Sequence, residues 1–142
     1  MPDANGPTPT LPISGNGQQI GDGNTTNAIM GKMTITAIGS YTGNATVTTS
    51  ELLSGLLTYT GSGHTLTLPT ATLLDAAVVN AQTGSYIEFG VNATTGNAAI
   101  AGGTGITTTA TGSGSMTVAA AASARYRLVK TGTAAWNLYR VG

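Results

Sequence analysis

The chain contains no cysteine, which excludes disulfides and thiolate metal sites. Charge is almost as scarce: five basic and five acidic residues make up 7% of the 142, against about 25% in an average globular domain. The formal net charge is zero, so the surplus of lysine and arginine that phosphate contacts require is missing and a nucleic-acid partner is not expected. Aromatic residues reach 5%, and His64 is the single histidine. No segment approaches the roughly 18 apolar residues of a transmembrane helix. The opening stretch MPDANGPTPTLPISGNG lacks both a basic region and an apolar run, so neither a secretory signal nor a membrane anchor is expected. These absences point to a soluble protein made in the cytoplasm. Near-zero net charge also does little to keep copies apart, so assembly is expected.

What is abundant is threonine, the commonest residue, and glycine, with 21 copies. Threonine suits strands because its branched Cβ fits a pleated surface, and glycine supplies turns. The fold class read from this is all-β, a β-sandwich or jelly-roll-like domain with one short helix. Residues 1–28 stand apart: four of the five prolines lie there, and the apolar residues follow neither a two-residue nor a 3.6-residue period. They read as an extended N-terminal arm, either a frayed terminus or a segment ordered by a partner. Residues 29–142 read as the β domain.

Along that domain, KMTITAI alternates Met33, Ile35 and Ala37 against threonines, as a half-buried strand does. ATVTTS reads as a second strand, and SELLSGLL as one helical turn capped by Ser50 and stopped by Gly55. LTYTGSGHTLTLP reads as a hairpin turning at Gly61 to Gly63. TATLLDAAVVNAQTG predicts a helix of about three turns, with Leu73, Leu74, Ala77 and Val78 on its apolar face and Gly84 beyond its end. SYIEFGVNA places Ile87, Phe89 and Val91 inward and Tyr86 and Glu88 outward. NAAIAGG, GITTTAT, SMTVAAAA, ARYRLVKTG and AWNLYRVG continue as short strands between glycines, with no longer internal repeat evident.

Chemical motifs are few. The Gly31-Lys32 pair is followed by Met33, so no phosphate loop is formed, and GTGITT and GSGSMT lack the third glycine of a dinucleotide fingerprint. Of the acids, Asp3 and Asp22 lie in the arm, Glu51 and Asp75 on separate helical segments and Glu88 outward on a strand, and no GxSxG elbow occurs. His64 reads as an exposed turn residue rather than a metal ligand. No catalytic residue, cofactor or metal is expected, and the chain reads as a protein that is not an enzyme.

One asymmetry remains. Arg125, Arg127, Lys130 and Arg140 all lie in the last 18 residues, with no acid among them. Alternation in ARYRLVK puts Arg125 and Arg127 on one face and Tyr126 and Leu128 on the other. That face reads either as charge that deters pairing by neighbouring sheets or as an arginine row for carboxylates on a protein partner.

Three stretches, LLTYTGSGHTLTLPTATLLDAA, GSYIEFGVNATTGNAAIAGGTGI and YRLVKTGTAAWNLYRVG, resemble segments of tailed-bacteriophage head decoration (capsid cement) proteins, and are also similar to phage fibre and spike β domains. The resemblance covers most of residues 52–142 and implies a non-enzymatic virion protein on the capsid surface, assembled as a homo-oligomer, a trimer more often than a dimer. The partner it implies is the major capsid protein. Leu11, Pro12 and Ile13 of the arm, with Arg125, Arg127 and Arg140, are the expected capsid contacts. The alternative is a fibre or spike module binding a host-surface glycan, with Tyr41, Tyr59, Tyr86 or Trp136 stacking on sugar.

Overall fold

The computed structural model describes residues 38–109 and 116–142. The arm 1–28, its anchors Leu11, Pro12 and Ile13, residues 32–37 of the strand expected at 32–38 and the turn expected at 112–114 lie outside the described residues, and Ile38, the last residue of that expected strand, is exposed and outside any strand.

The described chain is β-rich. In order it forms β1 (Gly39–Tyr41), β2 (Ala45–Thr46), helix α1 (Thr49–Leu53), β3 (Leu56–Tyr59), β4 (His64–Thr67) and helix α2 (Ala71–Ala77). It continues with β5 (Tyr86–Ala93), β6 (Ala98–Ala101), β7 (Ile106–Thr109), β8 (Thr117–Val118), β9 (Ala122–Gly132) and β10 (Ala135–Arg140). A six-stranded sheet has the order β1-β3-β5-β9-β10-β7, and a four-stranded sheet the order β2-β4-β6-β8.

The expected hairpin at Gly61 to Gly63 is not one. β3 and β4 belong to different sheets: β3 pairs in parallel with β1 and β5, and β4 in parallel with β2 and β6. The chain therefore runs strand, corner, strand three times, and each unit lays its first strand in one sheet and its second in the other. Equivalent bonds tie the corners: Thr60 N donates to Tyr41 O at 2.8 Å, and Thr94 N donates to Tyr59 O at 2.9 Å. This stacking is an internal repeat that the sequence conceals, because Tyr41 is in register with Tyr59 and Tyr59 with Ala93, which are unequal steps along the chain.

The corners explain their glycines by close approach. A Cβ on Gly61 would lie 2.5 Å from the Thr42 carbonyl oxygen of the preceding corner, and one on Gly96 would lie 2.8 Å from Ser62 Cα. A Cβ on Gly43, in the first corner, would meet nothing within 4 Å.

Among the described residues two short helices join the units, one at the helical turn expected over SELLSGLL and one at the start of the helix expected over TATLLDAAVVNAQTG. α1 is capped by Thr48 rather than Ser50: Glu51 N donates to Thr48 Oγ1 at 3.2 Å, and Thr48 N donates to Glu51 Oε2 at 3.1 Å. Gly55 ends it with φ of 90°, a conformation that suits glycine. α2 begins at the Thr70 cap and stops after seven residues, well before Gly84. Its buried side is Ala71 and Leu74, while Leu73 is exposed, so the apolar face is narrower than the expected one.

One cluster of buried side chains draws on both sheets. Leu57, Tyr59, Phe89, Val91, Tyr126, Leu128, Trp136 and Leu138 come from the six-stranded sheet, and Leu66, Ile100 and Val118 from the four-stranded one. Alternation in β5 and β9 places these residues inward as the sequence indicates. Phe89 and Tyr126 stack with ring centroids 5.4 Å apart, and the Tyr126 hydroxyl donates to Met116 O at 3.0 Å. Burial pushes the Tyr126 phenol up to about 12.

Candidate partner-binding face

The outer surface of the six-stranded sheet is assembled from the residues that alternate with this core. β5 and β9 are antiparallel, with Glu88 opposite Arg127 and Gly90 opposite Arg125, and Tyr139 of β10 is opposite Arg127 on the other side. The Arg127 Nε donates to Glu88 Oε2 at 2.7 Å, and its Nη2 donates to the same oxygen. Arg125 Nη1 stands 3.8 Å from Glu88 Oε1. One carboxylate thus serves two guanidiniums. The Arg127 guanidinium also covers the Tyr86 ring, 4.5 Å from its centroid. The side chains of Arg125 and Arg127 remain 68% and 42% exposed.

Of the expected contacts within the described residues, Arg125 and Arg127 are brought together and Arg140 is not. Arg140 has the inward parity of Trp136 and Leu138 at the end of β10, and its Nη1 donates to Thr117 O at 2.9 Å. The edge-guarding reading of the arginines is also corrected. β9 lies between β5 and β10, in the interior of the sheet, so its arginines shield no strand edge.

The aromatic residues expected to stack on sugar divide differently. Tyr59 is 0% and Trp136 1% exposed, because both share strand parity with buried leucines. The Tyr41 hydroxyl is buried beside Glu51, and burial, then that carboxylate, pushes the phenol up to about 12. Tyr86 alone of the four is well exposed, and its ring carries Arg127. His64 is not an exposed turn residue: it opens β4, half-buried, with Nδ1 2.7 Å from the Tyr59 hydroxyl.

The acids hold separate places. Glu51 completes the α1 capping box, and the Thr48 hydroxyl holds its carboxyl below the usual range. Asp75 on α2 accepts from Lys130 Nζ at 2.5 Å, Trp136 Nε1 at 2.8 Å and Ala134 N at 2.8 Å. The Lys130 hydrogen bond, then those from Ala134 and Trp136, hold the Asp75 carboxyl at about 2. This cluster fastens α2 to β9 and β10, and sequence reasoning did not find it. Among the described residues no three histidine or acidic side chains gather as a metal site would require, and no helix is long and apolar enough to cross a membrane.

Comparison with family models, with curated proteins and with solved structures finds no match to this chain.

Proposed function

We propose that this chain is a virion structural protein that decorates and stabilises a bacteriophage capsid, binding the outer shell as a homo-oligomer while residues 1–28 reach neighbouring capsid subunits. In this reading the two sheets are the layers of a β-sandwich, and their mixture of parallel and antiparallel pairs sets it apart from a wholly antiparallel jelly roll. The protein acts by binding and not by catalysis.

The observation that carries the reading is the open outer face of the six-stranded sheet, where Arg125 and Arg127 share the single carboxylate of Glu88 and stay exposed. Such a face suits carboxylates on a protein surface. Stabilisation follows by linkage, because a ligand that binds only the assembled shell favours that shell by mass action. A symmetric oligomer adds effective concentration, so contacts that are individually weak combine. The glycan-binding fibre or spike alternative is less well supported, since Tyr59 and Trp136 lie in the core and Arg127 covers Tyr86.

The test is co-sedimentation with capsid shells of the full chain and of a chain lacking residues 1–28. The expected result is that the full chain pellets with shells and the truncated chain binds at least about tenfold more weakly, the loss of one modest contact set. Equal binding by the two would overturn the role of the arm, and no binding by either would overturn the reading.

A further inference from the structure

The corner between β3 and β4 ends at the single histidine of the chain, in a hydrogen bond that decides where the ring carries its proton. The Tyr59 hydroxyl lies 2.7 Å from His64 Nδ1 and accepts from Gly63 N at 3.0 Å. Tyr59 is 0% exposed, and these are the only hydrogen bonds its hydroxyl makes with described residues. If Nδ1 carried a proton, it would donate to Tyr59, and the phenolic proton would be left buried without an acceptor. The phenol therefore donates to Nδ1, and the neutral ring carries its proton on Nε2. A second proton on the ring reverses this. Both ring nitrogens then donate, Nδ1–H and the phenolic O–H face each other, and the phenol loses its acceptor.

The elements around the ring supply no carboxylate to hold an imidazolium. β2, β3, β6 and the corners 42–44, 60–63 and 94–97 contain no Asp, Glu, Lys or Arg, and Tyr59 is their only titratable residue. Glu88 of β5 lies on the outer face of the six-stranded sheet with Arg125 and Arg127, and the Tyr41 hydroxyl of β1 lies beside Glu51. Arg140 reaches Thr117 of β8, two strands from β4 in the sheet order. The ring is half-buried beside exposed Ser62 and Gly63, so water can bring it a proton. The same corner also ties its neighbours together: Thr60 N donates to Tyr41 O, Thr94 Oγ1 donates to Thr60 Oγ1 at 3.2 Å, and Thr95 Oγ1 donates to Gly61 O at 3.0 Å. We propose that His64 and Tyr59 form an acid-sensitive latch, which closes the corner stack while the ring is neutral and loosens it when the ring takes a second proton. The stability it contributes is present in neutral solution and is lost as pH falls from about 8 to 5, where histidines gain charge. That range lies well above the one in which Asp75, held at about 2, titrates. The inference involves no partner and stands independently of the capsid reading.

The test is NMR of the full chain with isotope-labelled nitrogen at pH 7.5 and pH 5.5, reading the imidazole tautomer and the hydrogen-exchange protection of the Thr60, Gly63 and Thr94 amides. The expected result is a ring proton on Nε2 at pH 7.5. Protection, corrected for the intrinsic pH dependence of exchange, should fall at least about tenfold at pH 5.5, the scale for a buried group that loses its partner. His64→Gln, which does not titrate, should keep its protection constant over this range, and Tyr59→Phe, which keeps the imidazole and removes the hydroxyl, should also lose the dependence. The proposal is overturned by a proton on Nδ1 at pH 7.5, by unchanged protection in the parent, or by an equal fall in either variant. The tautomer and the parent's protection are read without any substitution, so they decide the matter even where a variant does not fold.

Discussion

Asp75 concentrates more bonding than any other described acid, and its consequence is a pH dependence. Its carboxyl is held at about 2 by Lys130 first, whereas an unfolded aspartate titrates near ~3.9. A folded-state value below the unfolded one contributes stability that is fully present above about pH 4 to 5 and is lost as pH falls toward 2. Urea unfolding at pH 7 and pH 2.5 should therefore show a larger loss for the parent chain than for Asp75→Asn, which lacks this titration. Equal losses would show that the cluster does not couple to folding. Tyr126→Phe, which removes a buried hydroxyl from Met116 O, should destabilise by about 0.5–1.5 kcal/mol, as net hydrogen bonds do, measurable in the same urea curves. At this scale the sequence was readable where strand parity decides, as for Arg125 against Tyr126. It was mute for Asp75, whose partners lie 55 to 61 residues away and follow no local pattern.

Elements were readable in kind and misleading in connection. A glycine corner that crosses between sheets uses the same residues as a hairpin turn, so Gly61 to Gly63 indicated a turn correctly and the pairing wrongly. Long-range register alone distinguishes the two, and unequal linkers hid it. The helix caps show the same limit: threonine, glutamate and glycine marked the ends of α1, but which hydroxyl caps it depends on where β2 stops. The stacked corners yield a sharp contrast. Gly96→Ala, whose Cβ would press on the backbone of the neighbouring corner, should cost about 1–3 kcal/mol. Gly43→Ala, with open space around it, should stay within about 0.5 kcal/mol of the parent, like an ordinary surface substitution. Chemical denaturation of the two variants checks both, and similar values for them would argue against close corner stacking.

For the whole molecule, composition indicated a β-rich chain, and the two mixed sheets with their common core agree with that. The mixture of parallel and antiparallel ladders was not legible, because period-two alternation is the same in both. The proposed candidate face was half legible: ARYRLVK announced an arginine row, while its convergence on Glu88 required the register of β5 against β9. A homo-oligomer is the state expected of a capsid-decorating protein, and light scattering during size exclusion should give a mass that is an integer multiple, above one, of the 14.0 kDa chain. A mass equal to one chain at micromolar concentration would leave multivalent binding without a basis. The most direct measurement of the central claim is electron cryomicroscopy of particles with and without this protein. The account predicts symmetric protrusions on the outer capsid shell that vanish when the protein is omitted; density confined to the tail, or none on the shell, would contradict it.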